Sequence, residues 1–126
     1  MAVNTTTIAA RLAETLIVDL VADSSNGEEN IFSGTTLANK LYEVELDNSQ
    51  NGLPAYLKIQ FATSFNANNA PNLQFYAPAG DKACYTFPDG LPFTTGISFV
   101  GSTTGAATGA QTDPIEPLKV KLLGGT

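Results

Sequence analysis

Between Leu41 and Phe61 the chain reads LYEVELDNSQNGLPAYLKIQF, two runs of alternating apolar and polar residues around a polar, glycine-containing connection. Tyr42, Val44 and Leu46 share one parity in the first run, against Glu43, Glu45 and Asp47. Leu57, Ile59 and Phe61 share one in the second, against Tyr56, Lys58 and Gln60. Successive side chains leave an extended strand on opposite faces, so a period of two buries one side; a helix would scatter the same residues around its axis. The segment predicts an antiparallel hairpin with one buried face, turning through Asp47, Asn48, Ser49, Gln50, Asn51 and Gly52.

Similar signals recur elsewhere along the chain. Leu73 to Tyr76 reads as a strand broken by Ala77-Pro78-Ala79-Gly80, and Ala83, Tyr85 and Phe87 alternate with Lys82, Cys84 and Thr86 in the next. Pro88-Asp89-Gly90 has turn chemistry, because proline fixes φ and glycine tolerates positive φ. Further runs lie near Ile97 to Val100 and Leu118 to Leu123, and a short one begins at Ile31-Phe32. Short strands spaced by about ten residues, with Gly and Pro between them, predict a mainly β fold: an antiparallel, jelly-roll-like β-sandwich of about six to eight strands.

Two segments break this pattern. Residues 5 to 22 predict an amphipathic α-helix capped by the Asn4 to Thr7 side chains, with Ile8, Leu12, Leu16 and Leu20 recurring every fourth residue. The β-branched cluster LIVDLV within it also suits the start of a strand. Gly101 to Pro117 (GSTTGAATGAQTDPIEP) is long, rich in small residues and unpatterned, as expected of a loop that is disordered or ordered only by a partner. The organisation expected is one compact domain, with a helix and connecting loop over residues 1–30 and the sandwich over 31–126.

Composition narrows function by exclusion. The chain has 126 residues, net charge -6 and only 6 Lys and Arg, scattered as Arg11, Lys40, Lys58, Lys82, Lys119 and Lys121. Nucleic acid and anionic membrane surfaces need clustered cations, so neither is an expected partner. No signal peptide is apparent, since the start is not basic and Arg11, Glu14 and Asp19 interrupt the stretch from Ile8 to Val21; synthesis in the cytoplasm is expected. Histidine is absent, which removes the commonest general base and the usual zinc ligand. Cys84 is the sole cysteine, so no internal disulfide forms; it is expected to be a small, partly buried strand residue. Charged residues make up 14% of the chain, against about a quarter in an average soluble domain, which suits a surface partly held against other proteins.

The sequence offers few candidates for chemistry. Asp47-Asn48-Ser49-Gln50-Asn51-Gly52 imitates the start of a calcium loop, but its twelfth position is Lys58 where a bidentate carboxylate is needed. Turn formation accounts for the same residues. Glu43 with Glu45, and Glu28 with Glu29, read as solvated pairs rather than acids facing across a cleft. Tyr42, Tyr56, Tyr76 and Tyr85 suggest a stacking surface for carbohydrate, although strand packing explains them as well. No catalytic, cofactor or metal residues are expected.

The pieces LYEVELDNSQNGLPAYLKIQF, YTFPDGLPFTTGISFV and DPIEPLKVKLL, taken in order, resemble a pattern in small structural proteins of tailed bacteriophages of the marine and cyanobacterial type. The resemblance spans about Ile31 to Leu123 and is carried by the order and spacing of the pieces. It implies a non-enzymatic β-sandwich component of the virion, foremost a capsid cement or decoration protein that clamps major capsid subunits as a homo-oligomer, a trimer being favoured. A tail, neck, baseplate or fibre-attachment component is the alternative, and a glycan-binding module a third. The contact residues expected on this reading are Ile8, Leu12, Leu16 and Leu20 of the helix, with Thr103, Thr104, Thr108 and Gln111 of the long loop.

Overall fold

A computed structural model describes residues 15–22, 39–93, 96–105 and 111–125. Its elements are all strands: β1 (Thr15–Ala22), β2 (Asn39–Asp47), β3 (Ala55–Gln60), β4 (Leu73–Ala77), β5 (Lys82–Phe93), β6 (Ser98–Ser102) and β7 (Leu118–Gly125). They form a four-stranded antiparallel sheet in the order β1-β7-β2-β5 and a three-stranded one in the order β4-β3-β6. The chain changes sheet at β2–β3, β4–β5, β5–β6 and β6–β7. Both sheets feed one apolar cluster. Leu41, Val44, Leu46, Leu118, Val120 and Leu122 enter it from the first sheet, and Leu57, Ile59, Phe75 and Phe99 from the second. The fold is mainly β and consistent with the expected sandwich.

Three expectations need correction. Residues 15–22 are a strand, not the end of a helix. Thr15, Ile17, Val18 and Val21 are β-branched, and the segment pairs with the last strand, Leu16 opposite Leu123 and Ile17 opposite Leu122. The ladder to β7 overrides the four-residue apolar repeat. Residues 5–14, and the short strand expected at Ile31-Phe32, lie outside the described residues.

The runs at 41–47 and 55–60 are strands with the expected buried parity, but they are not a hairpin. β2 pairs with β5 and β7, whereas β3 pairs with β4 and β6. The connection from Asn48 to Pro54 arches from one sheet to the other. Pro88-Asp89-Gly90 is likewise no turn between strands. Leu41 faces Leu91 and Glu43 faces Thr86, so Phe87 to Gly90 bulge out opposite Tyr42 within one continuous β5. Gly90 adopts φ +78°, and a Cβ there would meet Lys40 Cβ at 2.7 Å. Glycine is required at that position both by backbone angle and by space.

The outer side of β3 is unusually covered. Lys58 and Gln60 are buried there, level with Val100 and Ser98 on β6. Gln60 Nε2 donates to the carbonyls of Asn66 (2.7 Å) and Asn69 (3.0 Å), while its Oε1 accepts from Asn66 N (2.8 Å). Ser98 Oγ donates to Ala62 O at 2.9 Å. The β3–β4 connection is thus folded back and tied down. Burial lowers the pKa of Lys58 from its usual 10.5.

Elsewhere the sheets approach too closely for any side chain. A Cβ on Gly101 of β6 would stand 2.9 Å from the carbonyl oxygen of Ala22 and 3.3 Å from Leu118 Cβ. Gly101→Ala is therefore expected to cost about 1–3 kcal/mol, because backbone rather than a flexible tip must yield; the urea midpoint measures it. Lys58 gives a second expectation, one that shows itself at alkaline pH. Its folded pKa is depressed, so the unfolded chain binds the extra proton and stability rises with pH from the folded value up to about 10.5. In Lys58→Met this part of the alkaline rise should vanish from the urea midpoints, whatever the variant's absolute stability.

Candidate functional site

The polar side of the four-stranded sheet carries an ordered set of charges. Glu43, Glu45 and Asp47 on β2 alternate with buried Val44 and Leu46, and lysines flank them. Glu45 lies opposite Lys121, and Asp47 lies between Lys119 and Lys82. The Lys82 Nζ to Asp47 Oδ2 distance is 4.0 Å, with the lysine 64% exposed, so this pair is worth little on its own. The Asp47 carboxyl is held below its usual range first by hydrogen bonds from the Ser49 hydroxyl and backbone N–H, with Lys82 and Lys119 assisting. Cys84 also lies on this side. It is exposed rather than partly buried, because β5 has no outer neighbour among the described residues and Cys84 has the outward parity. Its Sγ donates to Glu43 Oε1 at 3.2 Å, and that bond, burial and the nearby carboxylates raise its pKa. The hydrogen bond and the acids beside it disfavour the thiolate, the reactive form.

The most constructed region lies at the end of the molecule where the arch passes between sheets. Asn48 is fully buried, and its Nδ2 donates to Leu53 O (2.9 Å) and Pro78 O (3.0 Å). Its Oδ1 accepts from Asn51 Nδ2 at 2.7 Å. Asn51 Nδ2 also donates to Glu116 O (2.8 Å), and its Oδ1 accepts from Glu116 N (2.8 Å). Main-chain bonds complete the junction, Asn48 N to Asp81 O (2.9 Å) and Gly80 N to Asn51 O (2.7 Å). Every N–H of both side-chain amides has an acceptor, which fixes which amide atom is nitrogen. Three segments distant in sequence are joined here: the arch, the β4–β5 turn and the lead-in to β7.

This junction displays apolar side chains outward. Leu53 is 56% exposed and Ile115 83% exposed. Leu53 is bonded through its carbonyl to Asn48, and Ile115 adjoins Glu116, whose backbone is held by Asn51. Exposed aliphatic residues on tied backbone are prepared for contact, since little entropy remains to be lost. Asp81, Asp113 and Glu116 are exposed around them.

The tyrosines do not form one surface. Tyr42 is buried, and Tyr85 packs against Phe75 at 5.0 Å while its hydroxyl donates to Tyr76 O. Tyr56 and Tyr76 pair on the outer side of the three-stranded sheet at 5.6 Å and 57°, a tilt that presents no flat platform. Of the expected contact residues, Ile8, Leu12 and Thr108 lie outside the described residues. Leu16 and Leu20 stand on β1, so the stripe from Ile8 to Leu20 is not one helical face. Thr103 and Thr104 share Thr112: their hydroxyls lie 2.7 and 2.5 Å from Thr112 Oγ1, and Thr103 N donates to Thr112 O. Gln111 is half-buried beside this cluster in sequence. The described ends of the long loop are thus closed on each other by the chain itself.

Sequence reasoning missed Asn48, Asn51, Leu53 and Ile115. The available signal was length: Asn48 to Pro54 is longer than the two to five residues of an ordinary hairpin loop. The oxygens that imitated a calcium loop are occupied differently, Asp47 Oδ1 by Ser49 N and Asn51 Oδ1 by Glu116 N. Among the described residues there is no group of three Asp, Glu, Cys or His able to hold a metal, and no helix long and apolar enough to cross a membrane. No family model, curated protein or solved structure matches the chain.

Asn48→Ala tests the junction. It leaves two carbonyls and one amide of the arch without their partner, and a loss of about 2–4 kcal/mol is expected in urea unfolding. Amide exchange of Gly80 and Glu116 should quicken more than that of residues in β6.

Proposed function

We propose that the chain is a structural component of a tailed-phage virion, a capsid cement or decoration protein that binds the major capsid shell as an oligomer. The observation that supports this most is the junction at Asn48 and Asn51, which holds the Leu53 carbonyl and the backbone of Glu116 and so presents Leu53 and its neighbour Ile115 as exposed apolar side chains beside tied backbone. Side chains presented in that way suit a protein whose task is to hold neighbours together. The strand order supports the same reading by analogy. The first described strand beside the last, with the chain passing repeatedly between sheets, suits a jelly-roll-like sandwich, an architecture found in viral capsid and lectin domains. The sequence resemblance favours the virion member of that pair.

The protein mixed with expanded, undecorated shells of its phage should bind at micromolar concentration and raise their melting temperature. Leu53→Asp combined with Ile115→Asp should weaken binding by tenfold or more while leaving the free protein's unfolding midpoint nearly unchanged, because both side chains are largely exposed. Absence of binding by the parent protein rejects the cement role. Copy number in purified particles then separates it from a tail or neck component, which is present in far fewer copies.

A further inference from the structure

Asn51 is followed by Gly52, the pairing in which an asparagine side chain is least hindered from cyclising onto the next backbone nitrogen. Gly52 is exposed, with open space where a Cβ would be. Asn51, by contrast, is only 5% exposed, and its amide makes the three bonds of 2.7, 2.8 and 2.8 Å that hold Asn48 and Glu116. We propose that Asn51-Gly52 is a deamidation site gated by the arch, silent in the closed fold and reactive each time the junction opens.

The chemistry is closed in atoms and needs only water. The Gly52 nitrogen, deprotonated by solvent base, attacks Asn51 Cγ. A C–N bond forms, the bond to Nδ2 breaks, and Nδ2 leaves as ammonia after taking up a proton. Water then opens the cyclic imide to aspartate or isoaspartate. In the closed fold the leaving nitrogen is held by Asn48 Oδ1 and Glu116 O, and the electrophilic carbonyl is held toward Glu116 N. Turning the side chain back onto its own backbone breaks all three bonds at once. The product also cannot restore them. A carboxylate at this position has no N–H for Asn48 Oδ1 or Glu116 O and sets negative charge against both oxygens. Opening is therefore converted from a reversible fluctuation into a permanent loss of the junction.

The test follows deamidation at Asn51 by peptide mapping and mass spectrometry at mildly alkaline pH, scoring the other Asn-Gly pair, Asn26-Gly27, separately. The folded protein, the same protein in urea and a peptide spanning residues 47–56 are compared. Urea-unfolded protein and peptide should react at similar rates, and the folded protein on the order of a hundredfold more slowly, the ratio following the opening equilibrium. Asn48→Ala should accelerate the folded-state reaction without changing the rate in urea, while Gly52→Ala should slow it in urea and in the peptide. Asn51→Asp, a stand-in for one product, should lower the unfolding midpoint of otherwise unmodified protein. Equal rates in folded and unfolded protein, or no reaction at Asn51 in urea, would overturn the proposal. If Asn48→Ala does not fold, the ratio between folded and unfolded parent protein decides alone.

Discussion

Two side-chain amides, those of Asn48 and Asn51, carry the alignment of the sheets at one end of the molecule. The apolar core by itself sets no such registration, because hydrophobic attraction is non-directional and tolerates sliding. Hydrogen bonds within each sheet fix strand against strand but say nothing across the layer between sheets. The Asn48–Asn51 pair does, tying the exit of β2, the β4–β5 turn and the lead-in to β7 through side chains that are both buried and fully bonded. Such a network rewards completeness, for each donor removed leaves a buried acceptor unsatisfied at a cost comparable to the bond itself. At another contact between the layers, Gly101 lets backbone meet backbone beside Ala22. One site specifies by bonding and the other by the absence of a side chain.

The flank formed by β4 and β5 is closed to further strand pairing by several independent devices. Tyr85 covers the carbonyl of Tyr76, and Asn48 takes that of Pro78 just beyond the end of β4. β5 carries Lys82, Pro88 and Pro92 together with the bulge from Phe87 to Gly90, and each of these discourages a partner strand. Phe75 against Tyr85 and Phe87 seals the gap between the layers. Association through this flank by strand addition is disfavoured, which shifts the weight of any partner contact onto side chains such as those at the arch.

The sequence made strands legible wherever one parity was apolar, as in Val44 and Leu46, Leu57 and Ile59, or Leu118, Val120 and Leu122, all buried. It made pairing far less legible. A strand's alternation states which face is buried but not which neighbour lies beside it, so β2 and β3 looked like a hairpin though they belong to opposite sheets. β1 misled for a related reason: Leu16 and Leu20 fit a helical repeat, while the ladder to β7 that decides the matter is more than ninety residues away. The arch asparagines were visible as turn formers, and their role was hidden because Pro78 and Glu116 lie far off in the chain. The charges facing one another across β2 were visible only as alternation within single strands. Their opposition of acid to lysine needs the register.

Amide pins also explain how a lightly charged chain keeps its loops in order. A salt bridge at a sheet end is screened and loses side-chain entropy for little return, as the exposed Lys82–Asp47 pair illustrates. An asparagine is short, offers two donors and one acceptor in a plane, and gives up few rotamers when fixed. Placed at Asn48, Asn51, Asn66 and Asn72, such residues or their backbones tie the arch and the β3–β4 connection to strand ends. The order they create does not depend on ionic strength, and it leaves Leu53 and Ile115 bare on a fixed backbone. A surface made rigid by uncharged bonds and apolar at its tip keeps its shape under changes of salt that would loosen an ion-paired one. That independence follows from the chemistry of the pins and would hold for any partner the tip meets.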